Sequence, residues 1–217
     1  MAENLKKGLF ITFEGPEGCG KSTHSSRINK DLVASGYQTV HTAEPGGTPL
    51  GARIRQVLLE EESIGFNPYA ELFLFEADRA QHIGDVIKPA LDERKIVICD
   101  RFSTATFAYQ GYGLGMDLDT VKEVDMLARA GIEPDLTIIL DIDVKSGLER
   151  ANKDRSADKM ERRSIEFHEK VRQGYLSMAE QDPERIRVIS SEGDIDAVYK
   201  RVREEVYGFI ERDKRAG

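Results

Sequence analysis

The amino-acid sequence predicts an α/β fold: a doubly wound, five-stranded parallel sheet with helices on both faces and a short lid. Three observations predict it. Short apolar runs alternate along the chain with helical patterns, as they do in parallel sheets covered by helices. Two of these runs, KIVICD and LTIILD, are apolar enough to be buried central strands. A glycine-rich loop also follows the first run and opens a helix.

In the first half of the chain, the apolar run Leu9–Glu14 predicts the first strand. The helix after the glycine-rich loop is expected at about 21–35, where the glycine of SGY ends it. Residues 37–42 predict a second strand that leads into the turn EPGGTP. Helical patterns follow at about 50–60 and, over a longer stretch, at 68–91.

In the second half, KIVICD and LTIILD are the two central strands, and a charged stretch, ERANKDRSADKMERRS, precedes a helix that runs to about residue 179. The remaining elements are predicted as helices at 117–130 and Val144–Ala151, a last strand at 185–189 and an amphipathic helix at 195–212. No internal repeat or low-complexity segment is visible. We therefore expect one domain over residues 1–217.

The composition limits the classes of function. The 217 residues carry a formal net charge of −8, with a pI near 5.2, whereas proteins that coat nucleic acid carry a basic surplus. The two cysteines are too few for a disulfide framework. No apolar segment approaches the ~20 residues of a membrane span, and the start lacks a signal peptide's apolar stretch. These features predict a cytoplasmic protein that binds neither nucleic acid nor membrane.

The glycine-rich loop matches the P-loop pattern, Gly15-x-x-x-x-Gly20-Lys21-Ser22. In such loops, backbone N–H groups point at phosphate oxygens, the lysine reaches the β- and γ-phosphates, and the hydroxyl binds Mg²⁺. The predicted triphosphate-binding residues are Gly15, Pro16, Glu17, Gly18, Cys19, Gly20, Lys21, Ser22 and Thr23. The loop indicates a nucleoside triphosphate with Mg²⁺. It does not distinguish a GTPase, a motor ATPase and a small-molecule kinase.

The other strand ends narrow the choice, because ligands gather at the carboxyl ends of parallel strands. The base-reading N-K-x-D and the D-x-x-G segment of switch GTPases are missing from the sequence. Asp100 ends KIVICD, as a metal-organising acid would, and Arg101 follows it directly. An arginine there suggests a second anion close to the first, and phosphoryl-transfer enzymes hold two such anions in line. A structural ion pair between Arg101 and Asp100 is the alternative.

Together these residues resemble thymidylate kinase. The resemblance is carried by EGPEGCGKS at 14–22, EPGGT at 44–48, FLFEADR at 73–79, DRF at 100–102, AYQG at 108–111, and EFH at 166–168 followed by VR and Tyr175. It runs in order from about residue 9 to 200. It implies the nucleoside monophosphate kinase fold, Mg²⁺- and ATP-dependent conversion of dTMP to dTDP, and a homodimer.

The resemblance also implies roles for single residues. Phe75 would stack on thymine, and Arg79, one helical turn later, would hydrogen-bond the base edge. Arg101 would clamp the acceptor phosphate. The predicted dTMP-binding residues are Glu14, Glu44, Pro45, Phe75, Arg79, Arg101, Thr106, Tyr109 and Gln110, and the predicted metal-binding residues are Ser22, Glu14 and Asp100. Without the resemblance, Phe75 would be assigned to the core. Phe73 stays a core candidate, and the EPGGT turn is expected to position Arg53.

The charged stretch at about 150–163 is predicted to be a lid that closes over the triphosphate and supplies cations. Its alternative is a solvated helix face. The stretch departs from the bacterial pattern R-A-R-A-R-G-x-x-D-R. Arg155, and secondarily Arg150, are the predicted catalytic cations beside Lys21 and Arg101. Glu17, where some relatives have an arginine, strengthens the expectation that this cation comes from the lid.

Two other functions are considered. One is a kinase for dUMP or for a deoxynucleoside, whose 5′-hydroxyl would need a carboxylate base, and Glu14 could serve. The other is a P-loop switch or regulatory ATPase, which would hydrolyse ATP slowly without an acceptor. His24, one turn after the loop, is expected to be an exposed helix residue rather than an acid–base group.

Overall fold

A computed structural model describes residues 5–61, 63–151, 153 and 158–216. The strands are β1 (Leu9–Glu14), β2 (Thr39–Ala43), β3 (Ile96–Asp100), β4 (Leu136–Asp141) and β5 (Ile186–Ser190). They form one sheet in the order β2-β3-β1-β4-β5, and every pair is parallel. The chain thus builds outward from β1 in both directions, which brings the carboxyl ends of β3 and β4 to either side of it. The predicted fold class is confirmed.

The helices are α1 (Lys21–Ala34), α2 (Pro49–Arg55), α3 (Pro68–His82), α4 (Lys88–Asp92), α5 (Ser103–Thr106), α6 (Leu118–Arg129), α7 (Val144–Ala151), α8 (Ile165–Gln181) and α9 (Ile195–Ala216). Several begin at a side chain that accepts a hydrogen bond from the first turn: Thr48 from Gly51 N–H, Asn67 from Tyr69 N–H, and Ser164 from Phe167 N–H. These caps satisfy backbone donors that a helix start otherwise leaves without partners.

The core consists of two apolar layers, one on each face of the sheet. Side chains alternate along β1, so Ile11 and Phe13 join the layer formed with α1 and α9. Phe10 joins the opposite layer, which contains Ile83 and Phe102. All six residues of β1 are buried. The central strand therefore provides a rigid support for the loop that follows it.

One helical region was not predicted from the sequence. After β3 the chain forms α5 and continues directly into a π-helical turn at Phe107–Gly113. Similar π-helical turns, Gln56–Glu60 and Ile83–Ile87, extend α2 and connect α3 to α4. The segments predicted as regular helices at 50–60 and 68–91 are thus helical with a local widening. Such widenings occur frequently at functional sites.

Two side chains differ from their predicted environments. Phe73, a core candidate from the sequence, is 54% exposed, and its ring lies 6.5 Å from that of Tyr69 on the same helix. His24, expected at the surface, is only 3% exposed, because its ring stacks against Tyr199 of α9. Among the described residues, no helix is both long enough and apolar enough to cross a membrane.

Candidate active site

A cleft of about 890 Å³ opens at the carboxyl ends of the strands. It brings together residues that the sequence scatters from the glycine-rich loop to the start of the predicted lid. The predicted site residues that line it are Glu17, Gly18, Gly20, Lys21, Ser22, Thr23, Glu44, Pro45, Phe75, Arg79, Asp100, Arg101, Thr106, Tyr109, Gln110 and Arg150. One part of the cleft is therefore lined by the predicted triphosphate-binding residues, and another part is lined by the predicted acceptor-binding residues.

The glycine-rich loop needs its glycines for two different reasons. Gly18 and Gly20 adopt φ angles of 66° and 92°, a left-handed conformation that other residues adopt only with strain. Gly18 also lies against the backbone of Gly147 in α7, where an added methyl group would overlap the Gly147 carbonyl. A methyl group at Gly147 would in turn overlap the carbonyl of Glu17. The loop therefore packs directly on the helix that leads into the predicted lid.

Lys21 is held inside the loop. Its Nζ donates to the carbonyl of Gly15 at 3.0 Å and to that of Pro16 at 2.8 Å, and it lies 3.4 Å from the Sγ of Cys19. Gly15, Pro16 and Cys19 do not line the cleft, and in this structure they hold the lysine. Their contact with a triphosphate stays a prediction. Lys21 is 7% exposed and lies at the start of α1, where the helix dipole also favours anions.

Ser22 and Asp100 connect the loop to β3. The Ser22 hydroxyl donates to Oδ2 of Asp100. Oδ1 of Asp100 is buried, and no hydrogen-bond partner for it is found in the described part of the chain. Hydroxyl and carboxylate oxygens are the ligands that Mg²⁺ prefers. The pair therefore has the donor chemistry for a magnesium ion at the edge of the triphosphate-binding region.

Arg101 forms an ion pair with the loop. Its Nη2 donates to Oε1 of Glu17 at 2.8 Å, and the hydroxyl of Tyr109 donates to the same oxygen at 2.6 Å. Burial favours the protonated form of Glu17, but Arg101 and Lys21 outweigh it and lower the pKa of Glu17 to about 2. Arg101 has a φ of 70°, unusual for a residue other than glycine. The ion pair of Arg101 in this structure is therefore with Glu17, and not with Asp100, which was the structural alternative to a phosphate contact.

Arg79 lies at the bottom of the acceptor-binding part, 2% exposed. Its Nε donates to Glu44 at 3.0 Å, and its Nη1 donates to Glu76, Thr106 and Asp125. Burial lowers the pKa of Arg79, but these three carboxylates outweigh the effect and keep its pKa above the usual value. Among the described residues, none accepts a hydrogen bond from Nη2. This nitrogen is the donor that remains for a ligand.

His82 supports Glu44, whose carboxylate in turn pairs with Arg79. Its Nδ1 lies 2.9 Å from Oε1 of Glu44, and its Nε2 lies 2.7 Å from the hydroxyl of Thr42. Potential ligand atoms of Glu44, His82 and Cys99 come within 4.8 Å of one another. Both ring nitrogens of His82 and both oxygens of Glu44 are nevertheless already hydrogen-bonded. We therefore interpret the cluster as a support for Arg79 rather than as a metal site.

On the side formed by α2 and α3, the cleft is lined by Phe75, which was predicted from the sequence, and by Arg55, which was not. Phe75 lines the cleft and packs against the cluster of Ile54, Leu58 and Met160. Arg55, not the expected Arg53, contacts the EPGGT turn: its Nη1 donates to the carbonyl of Pro45 at 3.0 Å, and it lines the cleft. The two arginines are two positions apart on α2, so only one can face the turn.

Glu14 does not line the cleft. It is fully buried, and its two oxygens accept hydrogen bonds from the Phe102 N–H at 2.7 Å and the Tyr175 hydroxyl at 3.1 Å. Burial raises the pKa of Glu14 to about 7. Its geometry fits a support that ties β1 to the chain after β3 and to α8. In this structure Glu14 has that positioning role, and its direct contact with dTMP, with a metal ion or with a nucleoside hydroxyl stays a prediction.

Of the two predicted lid arginines, Arg155 lies outside the described residues. Arg150 lies in the last turn of α7 and donates from Nη1 to the carbonyl of Ser191, directly after β5, at 3.1 Å. The residues that follow the undescribed part, Asp158, Met160 and Glu161, line the cleft. Arg163 at the end of the stretch donates to Glu71 of α3 at 2.6 Å. The charged stretch thus contacts the cleft rather than presenting only a solvated helix face.

The chain is similar to a known family over most of its length. The family model described as thymidylate kinase matches residues 13–202. The thymidylate kinase of Desulfovibrio desulfuricans is 44% identical over 214 residues, covering 95% of this chain and 99% of that protein. That of Syntrophotalea carbinolica is 46% identical over 201 residues, covering 89% and 93%. The crystal structure of thymidylate kinase from Ehrlichia chaffeensis superposes with a TM-score of 0.76 at 35% identity, covering 92% of this chain and 98% of that one.

Proposed function

This chain belongs to the thymidylate kinase family, whose reaction transfers the γ-phosphoryl group of ATP to dTMP, and we propose that the cleft described above holds both substrates for that reaction. The observation that carries the proposal is the position of Arg101. This arginine lies between the loop that begins at β1 and the pocket around Arg79, and it lines the same cleft as both. A guanidinium group at that place can contact the two phosphate groups that must meet.

On the donor side, the triphosphate of ATP replaces carbonyl oxygens as the partner of Lys21. The loop N–H groups and the start of α1 bind the phosphate oxygens, because both present unpaired backbone donors. Ser22 and Asp100 would hold Mg²⁺, and the buried Oδ1 of Asp100 supports this assignment. When bound, the ion neutralises charge on the phosphate oxygens.

On the acceptor side, Phe75 provides a flat apolar face for the base and Arg79 provides the Nη2 donor. Thr106 and Gln110 line the same pocket and are only 2% exposed each. Tyr109 is held in place by its hydrogen bond to Glu17, and we assign it to the sugar. Thr106 and Gln110 offer neutral hydrogen-bonding groups beside the apolar ring of Phe75, which suits a pyrimidine imide.

The reaction needs no general base, because the attacking oxygen of dTMP is already anionic at neutral pH. The chain's own work is therefore to position two anions and to neutralise their charge. Lys21 and Arg101 do this from the described part of the site. A lid arginine, Arg155 or Arg150, is proposed as the third cation.

A coupled assay of ADP release tests the proposal. With ATP and Mg²⁺ present, we expect dTMP to raise ADP release at least about tenfold above the rate without acceptor. Thymidine, dUMP and dGMP serve as comparisons, since a deoxynucleoside kinase would prefer thymidine. If dTMP leaves ADP release at background, the proposal is wrong and the alternative of a regulatory ATPase gains support.

We also propose that the protein acts as a homodimer. Three helices that pack side by side, α2, α3 and α6, present exposed apolar side chains: Leu50, Tyr69, Phe73, Leu118, Met126 and Leu127. Apolar patches of this kind mark protein interfaces. Light scattering after gel filtration should give about twice the mass of the chain. Phe73→Glu should shift the mass toward the monomer, and an unshifted mass would contradict this interface.

The proposed unit is a single kinase domain over residues 1–217 with a lid at about 150–163. Its support is the one sheet to which the five strands of the described residues belong. A cytoplasmic location is proposed because the reaction consumes ATP. Limited proteolysis that released a stable fragment would contradict the single-domain proposal.

A further inference from the structure

Glu71 connects the base pocket to the end of the predicted lid. It lies in the first turn of α3 and is 3% exposed. Oε1 accepts a hydrogen bond from Nε2 of Gln110 at 3.0 Å, and Oε2 accepts one from Nη2 of Arg163 at 2.6 Å. A buried acid that uses both oxygens for two distant segments is a specific arrangement, because an unpaired carboxylate in such a place is costly.

The carboxylate decides which way the Gln110 amide points. An ionised carboxylate only accepts hydrogen bonds, so Gln110 must turn its NH₂ group toward Glu71. The opposite orientation would place two acceptors against each other in a buried site. The second oxygen of Glu71 also accepts, from Nη2 of Arg163, so both oxygens of this side chain face donors. The carbonyl Oε1 of Gln110 is left for the cleft, and it has no hydrogen-bond partner among the described side chains.

We propose that Glu71 is a positioning residue for base discrimination, acting by fixing Gln110 as a hydrogen-bond acceptor toward the base. The inference rests on the proposed function, in which the base of dTMP lies beside Gln110. Thymine presents an N3–H donor, which a fixed carbonyl accepts. Cytosine presents a bare N3 acceptor, which the same carbonyl repels. Arg79 recognises the other part of the base edge. Its remaining nitrogen, Nη2, can only donate a hydrogen bond, and thymine has an acceptor at O4.

A purely structural role is the alternative, in which Glu71 ties α3 to Arg163 without affecting the base. The two readings differ in what they predict for base choice. A structural tie affects stability and all nucleotides alike. A fixed amide affects the ratio between bases with opposite hydrogen-bond patterns, because sites that hydrogen-bond a substrate group reject analogues that cannot make the bond.

The test compares dTMP with 5-methyl-dCMP, which differs from it only at N3 and C4 of the base. The KM for dTMP and the inhibition constant of 5-methyl-dCMP against dTMP are measured for wild type and for Glu71→Gln. The variant keeps the shape of the side chain but lets either amide donate. We expect the ratio of the inhibition constant to KM to fall about tenfold in this variant. Some preference for dTMP should remain, since Arg79 still rejects the amino group at C4 of 5-methyl-dCMP.

Two matched variants act as controls. Glu71→Asp keeps a carboxylate acceptor, and Arg163→Lys keeps a cation beside it, so both should retain the wild-type ratio within about threefold. If Glu71→Gln does not fold, as judged by thermal unfolding, the double variant Glu71→Gln/Arg163→Gln is tested instead, since it leaves no charge without its partner.

A folded Glu71→Gln enzyme with the wild-type ratio would overturn the inference while dTMP turnover upholds the proposed function. An equal loss of discrimination in Glu71→Asp would also overturn it, because the acceptor would then not be the cause. Absence of dTMP-dependent turnover in the wild type would overturn the proposed function and the inference with it.

Discussion

Arg101 and Glu17, 84 positions apart in the sequence, form an ion pair in which Nη2 of the arginine lies 2.8 Å from Oε1 of the glutamate. Tyr109 donates to the same oxygen. The acid in the glycine-rich loop thus holds the arginine and the tyrosine of the proposed acceptor site. A carboxylate beside a polyphosphate is unfavourable by itself, and these two partners offset the repulsion while fixing the distance between the two halves of the cleft.

We expect Arg101→Lys to lower kcat/KM for dTMP by about a hundredfold, because an ammonium group cannot contact Glu17 and a phosphate with the fork of a guanidinium. Steady-state kinetics at varied dTMP measures it, with the KM for ATP expected to stay within about threefold. Arg94→Lys is the matched control, since Arg94 is exposed and also has a positive φ. A loss below about threefold in Arg101→Lys would remove Arg101 from the acceptor site.

The two lid arginines are expected to give different kinetic effects. Arg155→Ala should lower kcat at least about tenfold if this residue acts on the transferred phosphoryl group. Arg150→Ala should mainly raise the KM for ATP, because Arg150 contacts the carbonyl of Ser191 in the loop after β5. The two variants are compared at saturating dTMP. Unchanged turnover in Arg155→Ala would reject it as the catalytic cation.

Gly147→Ala is expected to destabilise the loop, because the added methyl group would overlap the carbonyl of Glu17. Overpacking of this kind costs about 1–3 kcal/mol, and we expect a lower Tm together with a raised KM for ATP. Gly84→Ala provides the control, since a methyl group at Gly84 has no neighbour within 4 Å. Equal Tm values for the two variants would show that α7 yields to the loop.

The buried carboxylate of Asp78 should make the free energy of unfolding depend on pH. Its Oδ1 accepts from Gly46 N–H at 3.0 Å, and burial raises its pKa to about 6 from a usual value of 3.8. The folded chain therefore keeps a proton that the unfolded chain releases, so this contribution is full below pH 3.8 and lost as the pH rises through 6.

Asp78→Asn should remove that dependence. We expect the unfolding free energy of wild type minus that of Asp78→Asn to fall by about 2.4 kcal/mol from pH 4 to pH 8. Denaturant unfolding at four pH values in that range measures the difference. A difference that is constant, or that rises with pH, would contradict the raised pKa.

The sequence was sufficient to predict those features that depend on residues next to one another in the chain. The strand LFITFE, the loop after it and the acid–arginine pair at Asp100 and Arg101 follow from contiguous patterns, and the structure brings them together in one cleft. The helix at α5 escaped prediction because STATFAYQG is rich in β-branched and aromatic residues, which favour strands in isolation. Packing favours the helical form, since Tyr109, in the π-helical turn that continues α5, makes edge contacts with the rings of Phe167 and Tyr175 of α8.

The sequence could not predict which side chains contact one another in the folded chain. Nothing near Glu17 in the sequence indicates Arg101 as its partner, and Arg53 and Arg55 are equal candidates until the direction of α2 is known. Phe73 and Phe75 likewise differ only in which face of α3 they occupy. These choices depend on the relative placement of elements, which residue patterns within one element do not contain.

The contact between Gly18 and Gly147 has a consequence for protein engineering. Two backbones that touch without side chains leave no room for independent variation, so a phosphate-binding loop taken from a relative with a larger residue at either position would not seat on this scaffold. A chimera of two such kinases should therefore exchange β1, the loop and α7 as one block. Grafts that cross this block should express as poorly folded proteins even when each parent is stable.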